Sequence, residues 1–296
     1  MKIRLISGSC YVAILIAFYC LKAFVHDFCF DVLVYAFALI GTYEMLRALG
    51  ERVTKAERGV VYAFAIVCIP ACALLQYYRS WGVEATWGCT FLLAIALLAL
   101  LVADHENTTL ESIGSALLAA VYPTLLLTLL VLGNHLVCPP ALENVAFDSR
   151  LLILFVFVVS PCADSIAYVF GCSFKKYLPA KMAPTISPNK TVIGGVGGLV
   201  GGVLGAVALY FIYGATVGSY ENMGIWLTVY INIGLLGAVA TEFGDLIESC
   251  IKRKVGIKDM GNLLPGHGGV LDRIDGTLFT TFAVAAVFAI VFLVTL

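Results

Sequence analysis

The sequence predicts an all-α, polytopic integral membrane protein with about nine transmembrane helices and a cytoplasmic N-terminus. Of the 296 residues, 61% are hydrophobic and only 12% are charged, whereas an ordinary soluble domain has about 25% charged residues. Apolar runs of roughly 20 residues, long enough to cross a bilayer, recur along the whole chain. A lone segment in lipid must satisfy its own backbone hydrogen bonds, so we expect each run to be a helix.

The apolar runs define nine predicted spans, at residues 5–24, 28–46, 60–75, 85–103, 113–132, 151–171, 192–213, 225–247 and 277–296. The third span is short and contains Pro70, so its limits are the least defined. Residues 1–24 resemble a signal peptide, because Lys2 and Arg4 precede an apolar run. That run is about 20 residues long and has no clear small-residue cleavage site, so we interpret it as a retained first helix.

The basic residues set the predicted orientation. With the N-terminus in the cytoplasm, the 18 lysines and arginines all fall on the cytoplasmic side except Lys22, Arg79 and Arg150. This asymmetry follows the positive-inside rule and places the C-terminus outside. The net charge is −1, so there is no global basic field, and no nucleic-acid partner is expected.

Cysteines and glycines are prominent in the apolar runs. The ten cysteines include no CxxC pair, which predicts small buried apolar residues rather than disulfides or a zinc site. In the stretch GGVGGLVGGVLG, residues 194–205, glycines recur every four residues, and this spacing lets two helices approach closely. A glycine-rich phosphate loop is the alternative, but the run is too apolar and too long for a loop.

Acidic residues mark the inner end of the eighth predicted span. Glu242, Asp245, Ser249 and Arg253 are spaced i, i+3, i+7 and i+11, which places them on one helical stripe. Two acids at the end of a membrane helix are costly unless they are paired, hydrated or bound to a metal. The stripe therefore indicates either a salt-bridged helix end or an ion or phosphate site.

The predicted loop after this span gathers many polar residues: Lys252, Arg253, Lys258, Asp259, the PGHGG stretch 265–269 and the DRID stretch 272–275. Glycines let the backbone approach a ligand closely, and basic side chains would neutralise phosphates. Asp272 and Asp275, near the start of the ninth span, could hold a cation. Acids, bases and glycines together are what a metal–polyphosphate site requires, because Mg²⁺ takes one or two carboxylates and then the substrate's phosphate oxygens.

Two further segments precede this region. Asp164 lies near the cytoplasmic end of the sixth span, where a buried carboxylate is a functional candidate. A structural hydrogen bond to a neighbouring helix would also explain it. The stretch SPNKT, residues 187–191, supplies Ser187, Lys190 and Thr191, and by itself it is also consistent with an ordinary turn and helix cap.

These segments together resemble the phosphatidate cytidylyltransferases, also called CDP-diacylglycerol synthases. Residues 249–275, SCIKRKVGIKDMGNLLPGHGGVLDRID, meet every fixed position of the pattern S-x-x-K-R-x4-K-D-x4-L-P-G-H-G-G-x-x-D-R-x-D. Asp164, the SPxKT stretch and Glu242 with Gly244-Asp245 also match the family. The N-terminal resemblance is weaker and consists of RLISG at 4–8 and Glu44. Val192 and Ile193 depart from the family, which usually has a bulky aromatic and an acidic or amide residue there.

The resemblance implies that CMP is transferred from CTP to phosphatidate in phospholipid biosynthesis, giving CDP-diacylglycerol and pyrophosphate. It implies Mg²⁺, or another divalent cation, held by Asp245 and Asp272 with Asp275 or Asp164 in support. The implied phosphate-neutralising residues are Lys190, Lys252, Arg253, Lys258 and Arg273. Glu242, Asp259 and His267 complete the implied catalytic set. The implied substrate contacts are Ser187, Thr191, Ser249, Gly266, Gly268 and Gly269.

The same resemblance implies a setting for the reaction. We expect a multi-pass protein in contact with membrane lipid, in a bacterial inner membrane, with its site facing the cytoplasm and with a homodimer as the assembly. We expect a single membrane domain over 1–296, with N-terminal helices over about 1–135 and a catalytic half over about 151–296.

His267 suggests a general base, but the proposed nucleophile hardly needs one. A phosphate monoester has a second pKa of about 6 and is largely ionised at neutral pH. Phosphoryl transfer depends mostly on positioning and on charge neutralisation. We therefore favour His267 as a hydrogen-bond donor to phosphate or to the loop.

Two other functions are consistent with parts of the pattern. A related CTP-using enzyme would differ only in its acceptor, such as a polyprenol or an ether-linked phosphatidate analogue. A cation or proton transporter would also carry acids in its spans, but near the midplane and on broken helices in matching halves. Here the acids gather at the inner ends of spans, which favours the enzyme.

The predicted orientation can be tested by labelling. Asn262→Cys in a cysteine-free background should react with a membrane-impermeant maleimide only after the cells are opened, because the positive-inside asymmetry places this loop in the cytoplasm. Labelling of intact cells would contradict both the topology and the cytoplasmic location of the polar loop.

Overall fold

The structure, a computed structural model, describes residues 2–145, 147–174, 176–177, 179–217, 222–266 and 268–295, so His267 lies outside the described residues. The described chain is built from α-helices and one small hairpin. The helices are α1 Lys2–Phe24, α2 Phe28–Leu49, α3 Lys55–Arg79, α4 Gly82–Ala103, α5 Leu110–Ala120, α6 Leu126–Asn134, α7 Ser149–Phe174, α8 Val192–Val217, α9 Met223–Val255 and α10 Leu271–Thr295.

Within the described residues, nine helical stretches are long and apolar enough to cross a membrane. They match the nine predicted spans, which confirms the all-α polytopic class. The fifth stretch, Leu110–Asn134, combines α5 and α6 through a π-helical turn at Val121–Leu125. Pro123 lies in this turn, and the turn accommodates its missing N–H without ending the span.

Three helix limits differ from the sequence prediction. α3 runs from Lys55 to Arg79 and continues through Pro70, well beyond the predicted 60–75, and a capping box of Thr54 with Glu57 fixes its start. α9 continues past residue 247 to Val255, and α10 begins before residue 277, at Leu271. Hydropathy marks the apolar part of a helix, whereas the helix itself continues into its polar ends.

The chain divides into two compact units. Unit 1 comprises Met1–His135 and Val255–Arg273, and unit 2 comprises Leu136–Lys254 and Ile274–Leu296. The predicted division into N-terminal helices over about 1–135 and a catalytic half over about 151–296 stays a prediction. The segment 255–273 groups with the N-terminal helices in unit 1.

The interior of unit 1 is formed largely by α2, α3, α5 and α6. Cys68 and Cys72 on α3 are fully buried beside Ala65 and Ile69, which confirms them as small apolar packing residues. All ten cysteines of the chain are free thiols. Cys10 and Cys20 are exposed, so the expectation of burial is wrong for these two residues.

Glycine-mediated packing organises unit 2. A Cβ at Gly201 would lie 2.5 Å from the carbonyl oxygen of Cys162 on α7, and one at Gly202 would lie 2.5 Å from the carbonyl oxygen of Gly234 on α9. Since no side chain fits at these positions, α8 packs directly against the backbones of its neighbours. The helix-packing interpretation of residues 194–205 is confirmed, and the phosphate-loop alternative is wrong.

A two-stranded antiparallel hairpin precedes α8, with β1 at Lys181–Ala183 and β2 at Ser187–Thr191. The sequence analysis expected no strands here. Thr191 ends β2, and its Oγ1 accepts a hydrogen bond from the N–H of Gly194 at 3.1 Å, so it caps α8. The hairpin thereby fixes Lys190 directly beside the start of α8.

Candidate active site

Unit 2 contains a group of acidic side chains that we call the carboxylate cluster: Asp164, Glu242, Asp245, Glu248 and Asp275, with Lys190 and Lys252. These residues come from α7, β2, α9 and α10. The carboxyl group of Asp164 lies within electrostatic range of Asp245, Glu242 and Asp275, and of the ammonium group of Lys190. The fold therefore brings together most of the acids that the sequence singled out.

Lys190 lies between two carboxylates of α9. Its Nζ is 2.7 Å from Oδ2 of Asp245 and 3.0 Å from Oε2 of Glu242. Burial lowers the pKa of Lys190, but the charges of Asp245 and Glu242 outweigh this effect, and the net result is a raised pKa. Lys190 therefore stays protonated through the physiological range and compensates two acids at once.

A second pairing lies one turn further along α9. Glu248 is fully buried, and its Oε2 is 2.6 Å from Nζ of Lys252. The carboxyl group of Glu248 also lies close to that of Asp275 on α10. Two carboxyl groups this close repel each other unless a proton or a cation lies between them.

The polar stripe on α9 is confirmed, but the placement of its basic end in a loop is wrong. Lys252 and Arg253 belong to the last turns of the helix. Ser249 donates through Oγ to Oδ1 of Asp245 at 3.4 Å. Nε of Arg253 donates to the carbonyl oxygen of Ile186 at 3.3 Å. Arg253 therefore ties the end of α9 to the turn of the hairpin that carries Lys190.

Unit 1 contains a second polar feature, which we call the glycine loop, residues 258–273. It surrounds a cavity of about 610 Å³ that is lined by Lys258, Asp259, Asn262, Leu264, Gly266, Gly268 and Arg273. Lys258 and Arg273 are exposed and have no ion-pair partner among the described residues. Gly266 and Gly268 have φ of +75° and +86°, values at which glycine avoids the strain of a side chain.

Two buried carboxylates hold the backbone of the glycine loop. Oδ2 of Asp272 accepts from the N–H groups of Met260, Gly261 and Gly269 at 2.9, 3.4 and 2.7 Å. Glu44 on α2 accepts from Val270 and Leu271. Gly269, predicted as a substrate contact, is buried beneath these carboxylates and does not line the cavity.

The two features suit different ligands. In the carboxylate cluster, five carboxyl groups face two lysines, so the cluster favours a cation and repels a bare phosphate. No three histidine, cysteine or acidic side chains among the described residues form a ready metal cage. Mg²⁺ does not need one, because it binds through one or two carboxylates and completes its shell with water and phosphate oxygens. The donors of the cluster therefore fit such an ion, and the glycine loop fits phosphate or nucleotide groups.

Comparison with known sequences assigns the chain to a family. The sequence model described as the Cytidylyltransferase family matches residues 2–291, almost the whole chain. The protein belongs to the cytidylyltransferase family. Both the carboxylate cluster and the glycine loop lie within the matched range.

Individual relatives in this family carry a more specific name. The phosphatidate cytidylyltransferase of Staphylococcus haemolyticus is 40% identical over 132 residues, which are 45% of this chain and 46% of the relative. That of Staphylococcus saprophyticus is 42% identical over 127 residues, which are 43% and 45% of the two chains. The aligned stretch thus spans slightly less than half the length of these relatives.

Sequence reasoning did not assign three residues of these features: Glu248, Glu44 and Asn262. Glu248 could have been found, because it lies four residues before Lys252, the spacing of a helical ion pair. Glu44 was noticed only as a weak family match, and nothing local connects it with a loop more than 200 residues away. Asn262, which lines the cavity, gave no signal.

The double pairing of Lys190 generates a stability prediction. Lys190→Met leaves Asp245 and Glu242 uncompensated in a half-buried site, so we expect a loss of about 1–3 kcal/mol in detergent, read from the thermal unfolding midpoint. A raised lysine pKa means that the contribution is present below the unfolded pKa and is lost only at alkaline pH, so the loss should be the same from about pH 6 to about pH 9.

Two further variants serve as controls for this prediction. Lys176→Met removes an exposed lysine near the hairpin and should leave the midpoint unchanged. Glu242→Gln added to Lys190→Met should recover part of the loss, because it removes one uncompensated charge. An unfolding midpoint that is unaffected by Lys190→Met would show that the ion pairs contribute nothing to stability.

Proposed function

We propose that this member of the cytidylyltransferase family is a phosphatidate cytidylyltransferase, which transfers CMP from CTP to phosphatidate and releases CDP-diacylglycerol and pyrophosphate. The observation that carries the proposal is the presence, in one apolar chain, of an acid-rich cluster suited to a cation and a basic, glycine-lined cavity. The names of the staphylococcal relatives support the choice of phosphatidate as acceptor.

The cavity of the glycine loop is the proposed nucleotide site. Its volume of about 610 Å³ lies within the range of about 300–1,000 Å³ that is usual for small-molecule sites. Lys258 and Arg273 would neutralise phosphate oxygens, and Asn262 and Asp259 offer hydrogen-bonding groups. The glycines let the backbone approach the ligand closely.

The proposed reaction needs no deprotonation by the protein. An oxygen of the lipid phosphate attacks the α-phosphorus of CTP. The bond from this phosphorus to the oxygen bridging to the β-phosphate breaks, and pyrophosphate leaves with the electron pair. The monoester is already largely ionised, so the contribution of the protein is orientation and charge compensation. We assign His267 the role of a hydrogen-bond donor.

The carboxylate cluster is the proposed site of Mg²⁺. Asp164, Asp245 and Asp275 would hold the ion, and Ser249 and Lys190 would orient Asp245. A divalent cation held there would offset negative charge on substrate phosphates. The assignment of Asp272 to the same ion stays a prediction. In unit 1 its Oδ2 already accepts three backbone N–H groups.

The remaining parts of the proposal concern the setting of the enzyme. We assign it to a bacterial inner membrane, in agreement with its apolar helices and bacterial relatives. The site would face the cytoplasm, where CTP is available, and the assembly would be a homodimer.

The proposed activity predicts a specific product. The purified protein with CTP, phosphatidate and Mg²⁺ should release pyrophosphate and form CDP-diacylglycerol, which mass spectrometry would identify. The same assay with a polyprenyl phosphate or an ether-linked phosphatidate distinguishes related acceptors. Pyrophosphate release only with another acceptor would contradict the assignment of phosphatidate, and no release with any acceptor would contradict the enzyme class.

The proposed cation site predicts a change in metal dependence. Asp245→Asn keeps the shape of the side chain and removes its charge, so turnover should fall by at least about 10²-fold and more Mg²⁺ should be required. Asp104→Asn, on the α4–α5 connection, is the matched control and should behave as wild type. Normal Mg²⁺ dependence in a folded Asp245→Asn protein would remove Asp245 from the cation site.

A further inference from the structure

Glu44 lies far from the glycine loop in sequence but contacts it directly within unit 1. The side chain is 2% exposed. Its Oε1 accepts from the N–H of Val270 at 3.1 Å, and its Oε2 accepts from the N–H of Leu271 at 2.8 Å. Because α10 begins at Leu271, Glu44 satisfies N–H groups at a helix start that would otherwise lack partners.

The same carboxylate lies against both sides of the base of the loop. A Cβ at Gly261 or at Gly269 would overlap the carboxylate oxygens of Glu44. Asp272 bonds to the same two residues, through the N–H groups of Gly261 and Gly269. Two carboxylates therefore hold the base of the loop, between Gly261 and Gly269.

The neighbouring contacts show that Glu44 belongs to a larger anchor. Nη2 of Arg47, one turn along α2, donates to the carbonyl oxygen of Met260 at 3.3 Å. Oγ of Ser7 on α1 donates to the carbonyl oxygen of Pro265 at 3.1 Å. Glu44 is the buried member of this set, and its two acceptor oxygens meet two different backbone donors. A side chain with a single acceptor cannot replace it without leaving an N–H group unpaired.

We infer that Glu44 is a positioning residue for the nucleotide-binding loop, acting through the backbone geometry of residues 260–271 that shapes the cavity. The inference rests on the proposed function, because it assigns the cavity to CTP. It also gives the N-terminal helices a part in the reaction beyond membrane anchoring. Glu44 does not line the cavity, so its effect on the nucleotide is indirect.

Hydrogen exchange and kinetics of Glu44→Gln test this inference together. The amide nitrogen of glutamine donates instead of accepting, so one of the two loop N–H groups loses its partner. Exchange of the Val270 and Leu271 amides should accelerate by about tenfold or more, the loss expected for a hydrogen bond to a charged group. The kcat/KM for CTP should fall by about 10²-fold through misplacement of the loop, whereas the KM for phosphatidate should stay within about twofold.

A double-mutant cycle separates positioning from general stabilisation. Gly269→Ala places a methyl group against the Glu44 carboxylate, and Glu44→Asp withdraws that carboxylate by one methylene. If Glu44 and Gly269 act together, the fold loss in kcat/KM for CTP in the double variant should be smaller than the product of the two single fold losses. Glu84→Gln, exposed in the first turn of α4, is the control and should match wild type in exchange and in kinetics.

Each outcome decides the inference. Wild-type amide exchange at Val270 and Leu271 in Glu44→Gln would overturn it. A fold loss in the double variant equal to the product of the two single fold losses would also overturn it. Faster exchange throughout α3 and α7 would also overturn it, since Glu44 would then stabilise the fold in general. If wild-type protein does not convert CTP, the proposed function fails, and the exchange result alone decides whether Glu44 holds the loop.

Discussion

A charged side chain in a mostly apolar chain is stable only beside a group that compensates it, and this constraint governs the arrangement of the polar residues. Asp245 and Glu242 share Lys190, and Glu248 has Lys252. Elsewhere the partner is the backbone itself, as it is for Asp272. Because each acid must lie beside the group that compensates its charge, this requirement also fixes the position and orientation of its side chain.

The glycines of α8 within residues 194–205 make room for a charged side chain as well as for helix packing. A Cβ at Gly198 would lie 2.6 Å from Oε1 of Glu242. The absence of a side chain at this position therefore makes room for a carboxylate, besides letting the helices approach. On α9, a Cβ at Gly244 would lie 2.6 Å from the backbone carbonyl oxygen of Asp275, so this glycine lets α10 approach α9 closely. The glycines of α8 and α9 therefore permit close backbone packing, and Gly198 also permits the placement of an acid.

The parts of this structure that could be predicted depend on local pattern. Apolar runs gave nine spans, and helical spacing gave the stripe from Glu242 to Arg253, because both follow from the geometry of a single helix. The ends of α9 and α10 were misjudged, since hydropathy falls before the helix stops. The hairpin before α8 was missed because five residues of SPNKT carry no strand periodicity.

Contacts between distant segments were beyond the reach of these patterns. Glu44 and Leu271 are 227 positions apart, and only the folded chain shows that one caps the other. The backbone contacts of Asp272 could not be predicted from local sequence patterns either. Its spacing from Asp275 suggested a cation ligand, whereas the structure also gives it three backbone donors of its own loop.

The separation between α2 and the glycine loop bears on how the protein is made. The ribosome adds residues 255–273 only after residues 136–254 have been synthesised, yet this segment belongs to the same compact unit as Met1–His135. The helices of Met1–His135 are therefore synthesised well before the segment that they contact. Contacts of such high sequence separation form slowly. A nascent chain interrupted before α10 would lack the Glu44 contacts with Val270 and Leu271, so the base of the loop can form only after synthesis has passed Leu271.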